Sequence, residues 1–154
     1  MTPQEIAERC AEVMWPDDHA ARGLGMEIVG VGPGAATLTM TVRPDMVNGH
    51  GTCHGGFIFA VADSTFAYAC NSFNHRAVAA GADINFLAPA HLGDRLTAAG
   101  QARHQGGRSG VYDIEVTNQL GKLVAVFRGR AARVKGHFFE TAETVGLSGG
   151  NIAS

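Results

Sequence analysis

Apolar residues recur at helical spacing in the first fifteen positions of the chain. Ile6, Cys10 and Val13 lie three or four residues apart, which places them on one face of a helix. Pro3 suits the first helical position, because the N–H group that it lacks would have no intrahelical partner there. The pattern predicts a short amphipathic helix over residues 3–14.

The segment "HGGFIFAVADSTFAYACNS", residues 54–72, has a different pattern. Its apolar residues fall on every side of a helix rather than in one stripe, which is typical of a helix that is buried all round. Gly55 and Gly56 stand at its start, where small residues let a ligand approach the free backbone N–H groups. We predict a long central helix that begins near His54.

Alternating apolar and polar residues predict strands on both sides of this helix. Before it, "TLTMTV" alternates threonines with larger apolar residues. After it come four strand-like segments joined by short turns: residues 77–89, 94–105, 110–119 and 122–134. Short connections favour antiparallel pairing. Strands grouped after one helix, instead of alternating with helices, predict an α+β fold in which an antiparallel β-sheet wraps around the long central α-helix.

Length and charge narrow the class of protein. A chain of 154 residues is the usual size of one domain, and we expect residues 1–154 to form a single one. Its net charge of −2 and lack of a basic cluster give no surface that would hold a nucleic acid backbone. We therefore expect no nucleic acid partner.

The cysteines and the N-terminal segment indicate the cellular compartment in which the protein is found. The three cysteines are an odd number without CxxC spacing, which disfavours a disulfide framework or a thiolate zinc site. The first fifteen residues include acids and no continuous apolar core, unlike a secretory signal. The longest apolar stretch, residues 57–62, is too short to cross a membrane. We expect a soluble, cytoplasmic protein with no membrane partner.

One short motif matches the G-x-S-x-G pattern of serine esterases. It is "GLSGG", residues 146–150. That pattern functions on a strand-to-helix turn with its acid and histidine later in the chain, and only residues 151–154 follow here. The sequence therefore disfavours a serine esterase.

A second motif, "HGTCH", brings His50, Cys53 and His54 together, with Asp63 downstream. The two histidines would share a face only in a helix, and the surrounding glycines disfavour one, so we expect no metal site. A helix N-terminus would lower the pKa of the Cys53 thiol, but no histidine and acid can be assigned to orient it as a nucleophile. A buried structural cysteine is the favoured interpretation.

Asp63 is the one carboxylate in the apolar central segment. Burying a carboxylate costs several kcal/mol unless it is paired or reaches a solvated cavity. It lies about two and a half turns from the predicted helix start, roughly 13 Å along the axis, which is too far to cap the first turn. The alternatives are an Asp satisfied by the backbone or by an arginine partner, or one that faces solvent at a bend. Because the flanking residues are nearly all apolar, a cavity is the favoured hypothesis.

Four segments together resemble one family. They are "VNGHGTCHGGFIFAVADSTFAYACNS", "INFLAPAHLGD", "RHQGGRSGVYDIEV" and "GKLVAVFRGRAARV". They resemble the hotdog-fold acyl-CoA thioesterases, and most closely the phenylacetate-degradation (PaaI) type. The resemblance covers residues from about 23 to about 135, which we expect to be the domain core, with a weakly patterned tail over about 139–154 whose end is poorly ordered.

The resemblance implies a dimer whose active sites lie between subunits. In this family, dimers join their sheets edge to edge, often within homotetramers that are dimers of dimers. Gly55 would then stabilise the oxyanion through its backbone N–H, with Gly56 beside it in contact with substrate. Asp63 from the opposite subunit would activate a water or attack the thioester carbonyl; the sequence leaves both open. Asn48 would hold the carbonyl or the water, and His54 would order the loop with a smaller share in catalysis.

In two respects the sequence matches the family pattern less completely. Some relatives place a hydroxyl residue on the strand after the helix, where "AVAAGAD" offers alanines. The phosphates of coenzyme A need cations, and the arginines in or near the late strands are candidates by charge type, with ordinary solvated arginines as the alternative. They are Arg108, Arg128, Arg130 and Arg133. Coenzyme A would be part of substrate and product, so no cofactor is expected.

The resemblance thus predicts an acyl-CoA thioesterase that hydrolyses phenylacetyl-CoA or hydroxyphenylacetyl-CoA type esters in phenylacetate degradation. A hotdog hydratase or dehydratase is an alternative enzyme, although the Asn and Gly-Gly arrangement suits hydrolysis better. A non-catalytic acyl-CoA sensor is a third possibility, disfavoured because the N-terminal segment is too short and acidic for a DNA-binding element.

Overall fold

A computed structural model describes residues 1–146 of the chain. The helices are α1 (Pro3–Met14), α2 (His19–Gly23) and α3 (Gly55–Cys70), with 3₁₀ turns at Trp15–Asp17 and Pro44–Met46. The strands are β1 (Glu27–Gly32), β2 (Ala35–Thr41), β3 (Ala77–Phe86), β4 (Arg95–Gln105), β5 (Ser109–Thr117) and β6 (Leu123–Arg133). The predicted order at the end of the tail, and all of the "GLSGG" motif except Gly146, lie outside the described residues.

The strands form one six-stranded sheet in the order β1-β2-β4-β5-β6-β3, and every neighbouring pair is antiparallel. Helix α3 packs across one face of this sheet, chiefly against β2, β4 and β5. The core lies between them and includes Leu38, Phe66, Leu96 and Ile114. This arrangement confirms the predicted α+β fold. No helix within residues 1–146 is long and apolar enough to span a membrane.

Helix α1 begins and ends where the sequence pattern predicts. The Thr2 side chain accepts a hydrogen bond from the Glu5 N–H, and the Glu5 side chain accepts one from the Thr2 N–H, which forms a capping box. Cys10 is buried on the inner face of the helix. The helix lies beside β1, where Gln4 Nε2 donates to the Val31 carbonyl at 2.7 Å.

Helix α3 is buried on the side that faces the sheet but not all round. Gly56, Ala60, Asp63 and Ala67, spaced three or four residues apart, form a stripe that is exposed or half-buried. The expectation of burial all round therefore holds for a single chain only in part, because its sheet covers one side of the helix. Asp63 lies on the uncovered side.

The two edges of the sheet differ. Strand β1 has a bulge at Val29 and is joined to α1 by the Gln4 hydrogen bond. Strand β3 has ten residues, most of them exposed, and contains neither lysine nor proline. A covering element blocks strand addition at an edge, whereas an open edge without lysine or proline permits it. Strand β3 also has a bulge, at Ala80, but no described element covers its free side.

Candidate active site

The loop before α3 is closed by the side chain of Asn48. Its Oδ1 accepts from the N–H of His50 at 2.9 Å and from the N–H of Thr52 at 3.2 Å. The Asn48 backbone N–H donates to the Thr52 carbonyl at 2.8 Å, and Gly51 adopts a positive φ of 81° within the turn. In the isolated chain, Asn48 therefore organises the loop. Its predicted contact with the substrate carbonyl or the water stays a prediction.

Two backbone hydrogen bonds then fix the approach to the helix. The Cys53 N–H donates to the Ala90 carbonyl at 2.8 Å, and the His54 N–H donates to the Met46 carbonyl at 2.7 Å. Because these bonds join the segment to the Pro44–Met46 turn and to the connection between β3 and β4, the start of α3 has a defined position.

His54 is the N-cap of α3. Its Nδ1 accepts the Gly56 N–H at 2.8 Å, so in the neutral ring the proton is on Nε2. A Cβ atom at position 56 would lie 2.9 Å from Nδ1, so glycine there makes room for the cap. The predicted ordering role of His54 thus has a specific geometry, and the Gly56 N–H is already used within the chain.

Gly55 offers the free donor of the first helical turn. The N–H groups of Gly56 and Phe57 have acceptors on His54, whereas the Gly55 N–H has none within residues 1–146. An unpartnered N–H at a helix start lies at the positive end of the helix dipole, which suits a developing oxyanion. The predicted oxyanion donor is available for that role.

A Cβ atom at position 55 would lie 2.9 Å from Cζ of Phe86, the last residue of β3. Glycine at this position therefore accommodates an aromatic ring of the protein, in addition to any substrate. Sequence reasoning missed Phe86, although it lies in "INFLAPAHLGD", one of the segments that resemble the family.

Asp63 lies eight residues after Gly55 on the same helix, about 12 Å further along its axis. Its carboxylate is half-buried, and burial raises the pKa of this carboxyl group; in the described part of the chain it forms no hydrogen bond or ion pair. An unpaired, poorly solvated carboxylate is a better base than a paired one. The structure brings Asn48, His54, Gly55 and Gly56 together in one chain but leaves Asp63 apart from them.

The candidate arginines lie away from the helix start. On β6, buried Phe127, Gly129 and Ala131 face α3, so Arg128 and Arg130 project from the opposite face. Arg108 is exposed in the turn between β4 and β5.

Arg128 already has an anionic partner. It donates twice to Asp113, at 2.6 Å and 2.8 Å, and hydrogen bonding to Arg128 is the main cause that holds the pKa of that carboxyl group below its usual value. Arg130 lies over Gly81, where a Cβ atom would clash with its guanidinium. The predicted binding of phosphates by Arg108, Arg128 and Arg130 is untested, and the pairing with Asp113 argues against Arg128.

Cys53 is 5% exposed, and burial raises the pKa of its thiol, with Asp94 adding to the effect. This environment favours the thiol over the nucleophilic thiolate. Between Met1 and Gly146, no group of three or more His, Cys, Asp or Glu side chains is placed to hold a metal ion.

Comparisons with known proteins place the chain in a family. Residues 50–125 match the family model described as "Thioesterase superfamily". Acyl-coenzyme A thioesterase PaaI of Escherichia coli (strain K12) is 51% identical over 126 residues, covering 82% of this chain and 90% of that protein. A putative esterase of Archaeoglobus fulgidus is 32% identical and covers 90% of each chain.

Solved structures agree with this placement. The E. coli PaaI protein from the phenylacetic acid degradation operon superposes with a TM-score of 0.87 at 48% identity, over 88% of this chain and 99% of that one. A Streptococcus mutans UA159 protein solved with acetyl CoA gives a TM-score of 0.70 at 30% identity, over 73% of this chain and 90% of that one. With this similarity along most of its length, and with its six-stranded antiparallel sheet around a central helix, the chain belongs to the hotdog-fold thioesterase superfamily.

Proposed function

We propose that this protein is an acyl-CoA thioesterase that hydrolyses phenylacetyl-CoA or hydroxyphenylacetyl-CoA type esters. The observation that carries the proposal is the start of α3, where a braced loop presents the unpartnered N–H of Gly55 on the helix that also bears the unpaired carboxylate of Asp63. The choice of acyl group is supported by the similarity to E. coli PaaI, which is named an acyl-coenzyme A thioesterase and whose solved structure is described as a protein from the phenylacetic acid degradation operon.

The chemistry follows from these two groups. The thioester carbonyl oxygen accepts the Gly55 N–H, which stabilises the negative charge that develops when the carbonyl carbon is attacked. Asp63 either removes a proton from the attacking water or attacks the carbon itself to give a mixed anhydride that water then hydrolyses. In both cases the coenzyme A thiolate leaves and the acyl group ends as a carboxylic acid. No cofactor is needed.

A second copy of the chain completes the site. Gly55 and Asp63 lie about 12 Å apart along one helix, so they cannot both act on one carbonyl carbon from the same chain. Strand β3 has the open edge through which two sheets can join, and the uncovered stripe of α3 contains Asp63. We infer a homodimer formed at β3 that assembles into a homotetramer in the cytoplasm, with Asp63 of one subunit facing Gly55 of the other.

Release of free thiol from a panel of CoA esters tests the proposal. The panel includes phenylacetyl, hydroxyphenylacetyl, benzoyl and aliphatic esters, assayed with wild type, Asp63→Asn and Ser64→Ala. Asparagine keeps the size of the side chain but removes the base, so we expect the Asp63 variant to lose 10²- to 10⁴-fold in kcat. Ser64 is the half-buried neighbour of Asp63 and serves as the matched control.

Three results would contradict the proposal. An Asp63→Asn variant within tenfold of wild type would remove Asp63 from the mechanism. A wild-type enzyme that binds an ester tightly and releases no thiol would identify a sensor. Hydration of crotonyl-CoA would identify a hydratase.

A further inference from the structure

Phe86 is an inward-facing aromatic residue that its own chain covers only in part. Along β3 it shares the face of Ile84, which packs against the core. The next residue, Leu87, donates its N–H to the Val124 carbonyl at 2.8 Å, so the end of the strand is held on the sheet. The Phe86 side chain is nevertheless 53% exposed. A large aromatic ring that points inward and remains open to solvent is available to contact a ligand.

The ring lies against the proposed oxyanion donor. The three atoms nearest to a Cβ built on Gly55 all belong to Phe86, at 2.9, 3.3 and 3.4 Å, and they form the far end of the ring. The Gly55 N–H itself has no acceptor within residues 1–146. Gly55 therefore has an N–H donor without a partner, and it lies next to the exposed apolar ring of Phe86.

This juxtaposition constrains where an acyl group can lie. A carbonyl oxygen that accepts the Gly55 N–H lies about 2.9 Å from the nitrogen, which places the adjoining acyl carbons near the helix start and the end of the Phe86 ring. In a phenylacetyl group, one methylene separates the carbonyl from the phenyl ring. Aromatic rings attract each other at centroid separations of about 4.5–7 Å, a distance that this short linkage allows.

We infer that Phe86 determines acyl-group specificity: its ring forms one wall of the acyl site beside Gly55 and favours aromatic acyl groups over aliphatic groups of equal carbon number. The inference rests on the proposed function, because it assigns the Gly55 N–H to the thioester carbonyl. It concerns the choice of substrate and leaves the roles of Asp63 and the oxyanion donor unchanged.

The test compares kcat/KM for phenylacetyl-CoA and octanoyl-CoA, whose acyl groups both have eight carbons. The variants are Phe86→Leu, which keeps apolar bulk and removes the aromatic ring, and Phe86→Ala. Leu87→Ala is the matched control, because Leu87 is 56% exposed, adjacent on the chain and directed to the other face of the sheet. We expect both Phe86 variants to lower the phenylacetyl-to-octanoyl ratio by about three- to tenfold and Leu87→Ala to leave it within twofold.

Each contrary outcome has a separate meaning. A ratio that stays within twofold in Phe86→Leu, or falls equally in Leu87→Ala, would overturn the inference while wild-type hydrolysis still supports the thioesterase. Sedimentation velocity provides a further check: if only the Phe86 variants dissociate to monomers, the ring belongs to a subunit contact and the inference is wrong. Failure of wild type to hydrolyse either ester would overturn the proposed function and this inference together.

Discussion

Replacing His54 separates a structural role from a catalytic one. In His54→Ala, the Gly56 N–H loses the Nδ1 acceptor that lies 2.8 Å away in the wild-type chain. Removing an N-cap side chain costs about 1 kcal/mol, within a range of about 0.5–2 kcal/mol. For a domain of about 150 residues, that loss lowers the midpoint of thermal unfolding by about 2–4 °C. We also expect lower activity, because the cap positions the start of α3 where the Gly55 N–H lies.

His54→Asn is the matched control, because asparagine is among the best N-cap residues and can supply the missing acceptor without the ring. We expect this variant to recover most of the unfolding midpoint and most of the thioesterase rate, both measured beside wild type and His54→Ala. If His54→Asn is as inactive as His54→Ala yet fully stable, the Nε2–H group takes part in the reaction and the structural interpretation is refuted.

A double-mutant cycle with Gly56→Ala tests the same geometry. In wild type the new Cβ would lie 2.9 Å from His54 Nδ1, so the substitution should displace the ring and cost up to the value of the cap, about 1 kcal/mol. In the His54→Ala background no ring is present, and alanine is favoured over glycine in a helix by up to about 0.5–1 kcal/mol. The effect of Gly56→Ala on the free energy of unfolding should therefore change sign between the two backgrounds. Equal effects in both would refute the reasoning.

Two further predictions concern Asp63 and the sheet edge. Because burial raises the pKa of the folded Asp63 carboxyl above the ordinary 3.8, its contribution to stability is present below that pH and is lost as the pH rises through the folded pKa. Asp63→Asn should thus unfold at a higher temperature than wild type at pH 7 but not below about pH 4; a lower midpoint at pH 7 would contradict this. Val78 on β3 is 51% exposed, and Val78→Lys should weaken self-association and lower activity. Val29 on β1 is 62% exposed, and Val29→Lys should change neither. Sedimentation velocity measures the self-association of both variants, and thiol release measures their activity.

The fold could be predicted because its signals are local. Helix α1 spans the predicted residues 3–14, and the period-two segments after α3 all became strands of one antiparallel sheet. The burial of α3 was harder to predict from the sequence. Its uncovered stripe consists largely of glycine and alanine, and these small residues occur equally well in a core and in a subunit contact.

The site was harder to predict, because its contacts join distant parts of the chain. The sequence pattern predicts that Gly55 makes room for substrate, yet a side chain at position 55 would first meet the ring of Phe86, 31 positions later, brought there by β3. Charge type alone makes Arg128 a candidate. Its partner Asp113 lies directly across the β5–β6 ladder, and the pairing depends on a strand register that the sequence pattern does not specify.

In the proposed dimer, strand β3 would link assembly to chemistry. Its free edge offers the place where a second sheet can add, and its last residue touches the start of α3, where the one unpartnered N–H of the first helical turn is found within residues 1–146. The acid needed to use that donor lies about 12 Å along the helix, on the side that the chain leaves uncovered. Because one chain holds the two halves of the reaction too far apart to act on one carbonyl, joining two chains through β3 would bring the donor of one subunit to the acid of the other. In that case a complete active site would require both the lone carboxylate in an apolar helix and the open strand edge.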